Sequence, residues 1–513
     1  MSVVSPGERS KDNMIRYSDK VFYEVYPSSF CDSNDDGIGD LKGIESKLDY
    51  IKNLGFDGIW INPIFASPFK DGGYDISDFF KVDKRFGTLK DLKSLIQKCH
   101  EKEMMILLDL VPGHASTKAE IFLKSAEPTK NEYSDLFIWN DSTWNNSSNG
   151  KFISGCYDRD GCYMVNFFAH QAAINYGFAE VNEKWQQKYD PDNCPGRKFI
   201  TSVIKYYLEL GIDGYRVDMA DSLVKGEDDK ECTIDLWQKI FADIRKDYPN
   251  AYFVSEWSNP SRALRAGFNA DFVLDHHDNC SHYLFREDGE RKPLLVSYDK
   301  KLYNLFKKDL LKRIEEANKY EGNLAFISGN HDTYRLADYL KENELKLAYI
   351  FLLTMPGNPF IFAGDELGQK TNRNLLSKEG GYQRTGTRIP MVFDETEGRG
   401  FTKNIENSYL PIDTNTISAK KAQEDDKSLL NLIKTLIALR KENEVLSTKE
   451  FKLLDHPLAY RRGNILVFIN LLDVEQKIEV STGDIIFKTD NVDYCRGSIV
   501  VKPHQAIIYK EYN

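Results

Sequence analysis

Cysteine is sparse: eight in 513 residues, at positions 31, 99, 156, 162, 194, 232, 280 and 495, with no CxxC pair and no zinc-ligand spacing. That pattern argues against a zinc site and against a disulfide-framed secreted fold; Cys156 and Cys162 alone lie close enough to bridge across a turn. No run of eighteen apolar residues occurs, so no membrane-spanning helix is expected. Positive charge is in deficit, with 68 Lys and Arg against 79 Asp and Glu and a net charge of −11. Binding to nucleic acid needs a basic face that releases counterions, so a neutral or cationic ligand fits better. The amino terminus, MSVVSPGERSKDNMIRYSDK, lacks the apolar core and small-residue cleavage site of a secretion signal, which places the chain in the cytoplasm unless a leader was removed. Low-complexity stretches are missing as well.

What is there describes a folded protein of more than one domain. Hydrophobic residues make up 41% and aromatics 12%, enough for a large core with one or two smaller ones attached. Rings stack on the apolar faces of sugars, but they are also ordinary core material, so their abundance decides nothing alone.

Short apolar runs recur from about residue 20 to about residue 365, each followed by a helical pattern. They are VFYEVYP (21–27), GIWINPI (58–64), MILLDLV (105–111), GYRVDMA (214–220), AYFVSEW (251–257), ADFVLDH (270–276), AFIS (325–328) and NPFIFAG (358–364). Between them, Leu41, Ile44, Leu48, Ile51 and Leu54 repeat at helical spacing and predict one amphipathic helix. Eight strand–helix units are the number that closes a (β/α)₈ TIM barrel, with an open doubly wound sheet as the alternative. Residues 115–185 break the rhythm after the third strand and read as an inserted subdomain. Past residue 370 comes a Gly- and Arg-rich stretch, EGGYQRTGTRIP, then a helix near 427–441 and alternating runs such as NILVFINLL. The expected organisation is therefore a barrel over 1–114 and 186–440, an insert over 115–185 and an antiparallel β-sandwich over 441–513.

In parallel barrels catalytic groups project from the carboxyl ends of the strands. Strand three ends in Asp109 with His114 beyond it, strand four carries Arg216 and Asp218, strand five ends in Glu256, and His331 and Asp332 follow strand seven. Each buried carboxylate taken alone reads as a neutralised structural ion. Three carboxylates, two histidines and an arginine on one rim read as a shared polar site. Glycosidic cleavage needs an acid to protonate the leaving oxygen and a carboxylate on the opposite face of the sugar. Asp218 as nucleophile and Glu256 as acid/base, from neighbouring strands, would give double displacement with retention. Arg216 is expected to keep Asp218 ionised, and burial beside Trp257 to raise Glu256.

These residues resemble the α-amylase superfamily, glycoside hydrolase family 13, over nearly the whole chain. DLVPGH (109–114), GYRVDMAD (214–221), SEW (255–257) and ISGNHD (327–332) are similar to its four signatures. The resemblance implies Asp218 as nucleophile, Glu256 as acid/base and Asp332 as the carboxylate that orients the sugar. It also assigns sugar contacts to Asp71, Tyr74, His114, His331 and Arg335, with Arg216 serving the nucleophile. QAAIN (171–175), GDELG (364–368) and RIPMVFD (388–394) resemble further blocks, the last common in oligosaccharide-directed members of the oligo-1,6-glucosidase and α-glucosidase type.

A second feature is DSNDDGIGD (32–40), where Asp32, Asn34, Asp36, the Ile38 carbonyl and Asp40 present alternating oxygens suited to Ca²⁺ in a structural role. The blander reading is a solvated acidic turn; oligo-1,6-glucosidase-like members carry a similar loop. The chain departs from the family in four places. Gly113 replaces the Asn before the histidine, so the interdomain calcium site of secreted α-amylases loses a ligand. Asp221 and Ser222 stand where Lys–His is frequent, Met219 follows the nucleophile, and QAAIN lacks an acid. The leading expectation is hydrolysis of α-1,4- or α-1,6-linked glucose oligosaccharides or α-glucans. Transglycosylation is the near rival, and a non-catalytic family member or a metal hydrolase on Asp109, His114 and His331 stands further off.

Overall fold

The computed structural model describes residues 17–144, 150–377, 379–380, 384–454, 456–490, 492–495 and 497–512. Most of the polar amino-terminal segment and three residues of EGGYQRTGTRIP lie outside them. Eight parallel strands form one sheet: β1 (Phe22–Val25), β2 (Gly58–Ile61), β3 (Met105–Leu110), β4 (Gly214–Val217), β5 (Tyr252–Ser255), β6 (Ala270–Val273), β7 (Asn323–Phe326) and β8 (Phe360–Phe362). They pair in sequence order, with β8 beside β1. A parallel bridge between Ile327 and Phe360 joins β7 to β8 and completes the ring of a TIM barrel.

The period of two along each strand explains why a charged site forms at one end of this ring. Phe22, Trp60, Leu107, Tyr252, Val254, Phe272, Ala325 and Phe360 point inward and pack as one interior cluster. The next inward positions toward the carboxyl ends are Glu24, Asn62, Asp109 and Glu256, with Arg216 and Asp218 successive inward positions on β4. An apolar plug is therefore capped by a polar layer on a single face. Close strand contact matters here: a Cβ at Gly214 would sit 1.8 Å from the Tyr252 carbonyl oxygen, so only glycine lets β4 approach β5.

Helices cover the outside of the barrel. Leu89–Glu101 starts with a capping box between Thr88 and Asp91 and buries Leu92, Leu95, Ile96 and Cys99. Pro195–Leu210 begins with proline in its first turn and stops at Gly211, whose φ of 108° is left-handed. The single helix expected over residues 41–54 is instead two, Leu41–Ser46 and Leu48–Leu54, broken where Lys47 leaves helical geometry at φ −109° and ψ 7°. The apolar spacing continues through the break, so periodicity alone did not reveal it.

After β3 the chain enters the inserted subdomain. Its described residues hold a short helix, Glu120–Ser125, and short ladders, His114–Ser116 with Gln171–Ala173 and Phe152–Ile153 with Tyr163–Met164. An aromatic cluster compensates, with Phe122 in contact with Phe137, Trp139, Tyr157 and Tyr163. Cys156 Sγ faces the Ser154 carbonyl and Cys162 Sγ the Ser142 carbonyl, so the two thiols do not meet in the bridge their spacing allowed. The carboxyl-terminal region holds a five-stranded and a three-stranded antiparallel sheet. Leu466, Phe468, Ile507 and Tyr509 of the first pack with Ile478, Ile499 and Val501 of the second, the two-layer core of a sandwich. No helix among the described residues is long and apolar enough to cross a membrane.

Candidate active site

A cleft of about 350 Å³ opens at the carboxyl end of the barrel, lined among others by Asp71, Tyr74, His114, Asp218, Glu256, Asp332 and Arg384. Two wider depressions, of about 770 and 830 Å³, lie elsewhere on the surface and contain none of the three predicted carboxylates. Chemistry therefore singles out the smaller one.

Arg216 is the hub. Its Nη1 lies 2.6 Å from Asp109 Oδ1 and 2.9 Å from Asp218 Oδ1, and its Nη2 lies 2.7 Å from Glu256 Oε1. One guanidinium thus touches both members of the predicted catalytic pair, which face a common pocket. Glu256 Oε2 accepts a second hydrogen bond from the Met219 amide at 2.9 Å. Asp109 is fixed from the other side by Trp60 Nε1 and Tyr74 Oη, both at 3.0 Å.

Asp332 sits in the opposite environment. Arg388 Nη2 approaches its Oδ1 at 2.8 Å and Arg384 Nη1 at 3.0 Å, while His331 Nε2 lies 3.3 Å from Oδ2. Arg384 also reaches Asp71 Oδ1 at 2.7 Å, and Arg388 reaches the buried Glu379 at 2.8 Å. His331 is clamped between Glu24 on Nδ1 at 2.7 Å and Tyr74 Oη on Nε2 at 2.8 Å, with the Tyr74 ring 5.3 Å away and nearly parallel.

These surroundings set the charges. Burial raises the Asp218 carboxyl well above the usual range despite Arg216, and Glu256, Asp109 and Asp332 push the same way. Arg216 lowers Asp218 as expected, but it is divided among three carboxylates, and burial outweighs its share. For Asp332, burial is outweighed by His331, Arg388 and Arg384, which hold it well below the usual range. Burial would depress His331, but Asp332 and Glu24 lift it to about 9. His114 is the converse: burial takes it down to about 3, so its neutral ring donates from Nε2 to the Tyr74 carbonyl at 3.2 Å.

The structure brings Asp71, Tyr74, His114, Arg216, His331 and the three carboxylates together, but not Arg335. That side chain is 2% exposed, pairs with Asp365 at 2.7 Å and donates to the Thr387 carbonyl, turned away from the cleft. Its expected sugar contact is therefore corrected; the cleft-lining arginine is Arg384. Sequence reading missed Arg384, Arg388, Glu24, Asn62 and Gln171, whose Nε2 donates to Asp71 at 2.7 Å. The inward period of β1 and β2 could have found Glu24 and Asn62. Asp109 and His331 both contact the Tyr74 hydroxyl and His114 the Tyr74 carbonyl, and among the described residues these three do not bring their ligand atoms within 4.8 Å of one another, so the metal-ligand reading has no support in their geometry.

Gly113 has a local reason. A Cβ there would lie 2.6 Å from Asn166 Nδ2, and Asn166 receives Lys225 Nζ at 2.8 Å and reaches Ser222 Oγ at 3.2 Å. An ammonium, lowered to about 8 by burial, therefore occupies the space beside the departures at 113 and 222.

The profile of the alpha-amylase catalytic domain matches residues 24–449. The chain belongs to the alpha-amylase family. It is 28% identical to an oligo-1,6-glucosidase of Bacillus cereus over 96% of this chain and 99% of that protein. It is 27% identical to alpha-amylase 3 of Dictyoglomus thermophilum, over 96% and 93% of the two chains. In fold it is similar to the trehalulose synthase of Pseudomonas mesoacidophila, with a TM-score of 0.80 and 24% identity over 96% of this chain and 99% of that one. This member of the family is a retaining glycoside hydrolase or transglycosylase.

The 32–40 loop lies apart from the cleft lining. Asp32 Oδ1 accepts the Asn34 and Asp35 amides, and Oδ2 accepts the Gly37 amide and Thr402 Oγ1. Asn34 and Asp36 each accept the amide two residues on, and Asp40 caps the following helix through the Gly43 amide at 2.7 Å. The donor set is all oxygen, as a hard cation requires, but the Asp32, Asp36 and Asp40 carboxylates do not bring their oxygens within 4.8 Å of one another, and the loop satisfies most of those oxygens by itself.

Proposed function

We propose that the chain hydrolyses short α-1,4- and α-1,6-linked glucose oligosaccharides, with Asp218 as nucleophile, Glu256 as acid/base and Asp332 as the carboxylate that holds the sugar. The observation that carries this reading is Arg216 touching Asp218 and Glu256 at once from neighbouring strand ends. The step needs one proton across the pair, on Glu256 when the bond breaks, and a bare carboxylate on Asp218. Burial and the neighbouring acids raise Asp218 and Arg216 opposes them, so the bare carboxylate this step needs rests on the Arg216 contact. Asp332, held ionised by three cations, has no proton to give and is suited to accept hydroxyl hydrogens from the bound sugar. Tyr74, 4% exposed, supplies a ring face beside them.

A cleft of about 350 Å³ suits a few sugar rings better than a polymer. The names of the relatives, oligo-1,6-glucosidase and glucan 1,6-alpha-glucosidase, support the same substrate class. The test is incubation with maltotriose, isomaltose and starch under anomer-resolved detection. Glucose released first as the α-anomer from a trisaccharide or disaccharide supports the reading, and first-formed β-glucose or no release from any substrate refutes it. Product analysis at high acceptor concentration separates hydrolysis from transfer.

The same reading extends to Ca²⁺ at Asp32, Asn34, Asp36, the Ile38 carbonyl and Asp40. The support is the hard donor set and its regular spacing; the ion would brace the loop against the 402–404 segment, which Thr402 and Asn404 already contact.

A further inference from the structure

We propose a transition-metal site of the Zn²⁺ class on the segment that follows β6, built from His277, His282 and Asp288. Among the described residues these three bring one ligand atom each to within 4.8 Å of one another. His277 Nδ1 lies 3.8 Å from Asp288 Oδ2, and the two imidazole rings are 4.8 Å apart. Cysteine spacing held no hint of it, because no thiol takes part.

The buried histidine points to a ligand. His282 is 5% exposed, its Nδ1 sits 2.8 Å from Asp275 Oδ1, and its Nε2 is buried with no hydrogen-bond partner. Such an orphan costs free energy unless something binds it. A carboxylate on Nδ1 fixes the tautomer with its proton on that nitrogen, which leaves the Nε2 lone pair for a metal, as outer-shell carboxylates do at histidine-ligated ions. Asp275 is anchored in turn by Arg286 Nε at 2.8 Å. His277 is exposed and turns readily, so closing the ligand set to the roughly 3.4 Å that bonds of about 2.0–2.1 Å impose at the tetrahedral angle needs little movement of the chain. Two imidazoles and one carboxylate, with water in the fourth position, are a borderline-soft set that suits Zn²⁺ and not Ca²⁺. Arg291 competes, with Nη2 3.5 Å from Asp288 Oδ2, and must yield when the ion enters. A metal here would stiffen the cleft wall, since Leu274 and His276 of the same segment line the cleft.

The experiment is competitive Zn²⁺ titration of the full chain against a chromophoric chelator, with Ca²⁺ saturating so that the 32–40 loop is not read. One saturable site is expected in the wild type, weakened at least about tenfold in His277→Ala and in Asp288→Ala. Melting temperature without Zn²⁺ should not move in His277→Ala, because that side chain is exposed. Co²⁺ should give the visible band of a tetrahedral nitrogen and oxygen site without thiolate charge transfer. The absence of a saturable site in the wild type would overturn the proposal. So would an affinity unchanged by His277→Ala, or thiolate charge transfer, which would place the ion on a cysteine instead.

Discussion

Asp218 and Asp332 line one cleft, the first buried and the second part-buried, and their acidities shift in opposite directions. Desolvation acts upward on both, so burial does not separate them. The difference lies in how cations are divided. Asp218 shares one guanidinium with Asp109 and Glu256, whereas Asp332 has His331, Arg384 and Arg388 close to it. In the first arrangement burial outweighs the divided cation, so Asp218 and Asp109 are both raised. The second holds a permanent anion, which suits binding. One barrel mouth thus carries two carboxylate roles set by counter-ion number.

The largest effect that tests this contrast comes from the two isosteric amides. Asp218→Asn should lower kcat by about 10⁴-fold or more, since covalent attack is lost. It should leave the melting temperature unchanged or higher, because it relieves repulsion around an over-shared arginine. Asp332→Asn should also cost at least about 10³-fold in kcat/KM, but with a stability loss on the order of 2 kcal/mol, since three cations lose their shared anion. Steady-state kinetics and urea melts of both variants decide the point. Equal stability losses in the two variants would erase the distinction.

Much of this contrast was legible in the sequence, and the illegible part has a physical reason. The strands, their order and the candidate carboxylates follow from a period of two and from apolar runs that end in charge, both local properties. Glu24 and Asn62 obeyed the same period and were overlooked because each stands alone in its run. Arg384 and Arg388 come from a loop more than fifty residues beyond Asp332 with no periodic signal, so only the folded chain shows that they neutralise it. Arg335 differs in the opposite way: the family resemblance implied a sugar contact, while its guanidinium turns to Asp365. A motif names Arg216 as the partner of Asp218 but not how many other acids share it.

His331 sharpens the comparison through pH. Its folded pKa of about 9 lies above the ordinary histidine value, so the stability it contributes is fully present below about 6.5 and is lost as pH rises through about 9. That contribution is on the order of 3 kcal/mol, visible as a fall in melting temperature between pH 7 and pH 10 that is smaller in His331→Gln. Asp332 works from the other side: its folded pKa is depressed, so its stabilisation is present above about 3.8 and fades as acid protonates it. If wild type and His331→Gln lose stability in parallel on the alkaline side, His331 is not the cation that holds Asp332 ionised.

The smallest expected effect concerns the 32–40 loop, and its smallness is itself the argument. Hydrogen bonds from the Asn34, Asp35 and Gly37 amides and from Thr402 already satisfy Asp32, so the loop keeps its shape by a route that needs no ion. Ca²⁺ at about a hundred times its dissociation constant adds roughly 2.7 kcal/mol, which in a chain of this length moves melting by about 3 °C. Chelation should lower the melting temperature by that amount and leave kcat at room temperature unchanged, because none of the loop's oxygens reaches the pocket of Asp218 and Glu256. Asp36→Ala should abolish the Ca²⁺-dependent part of the melting temperature without touching kcat. Loss of activity on chelation at an unchanged melting temperature would instead assign the metal to the chemistry and remove the structural role of the loop.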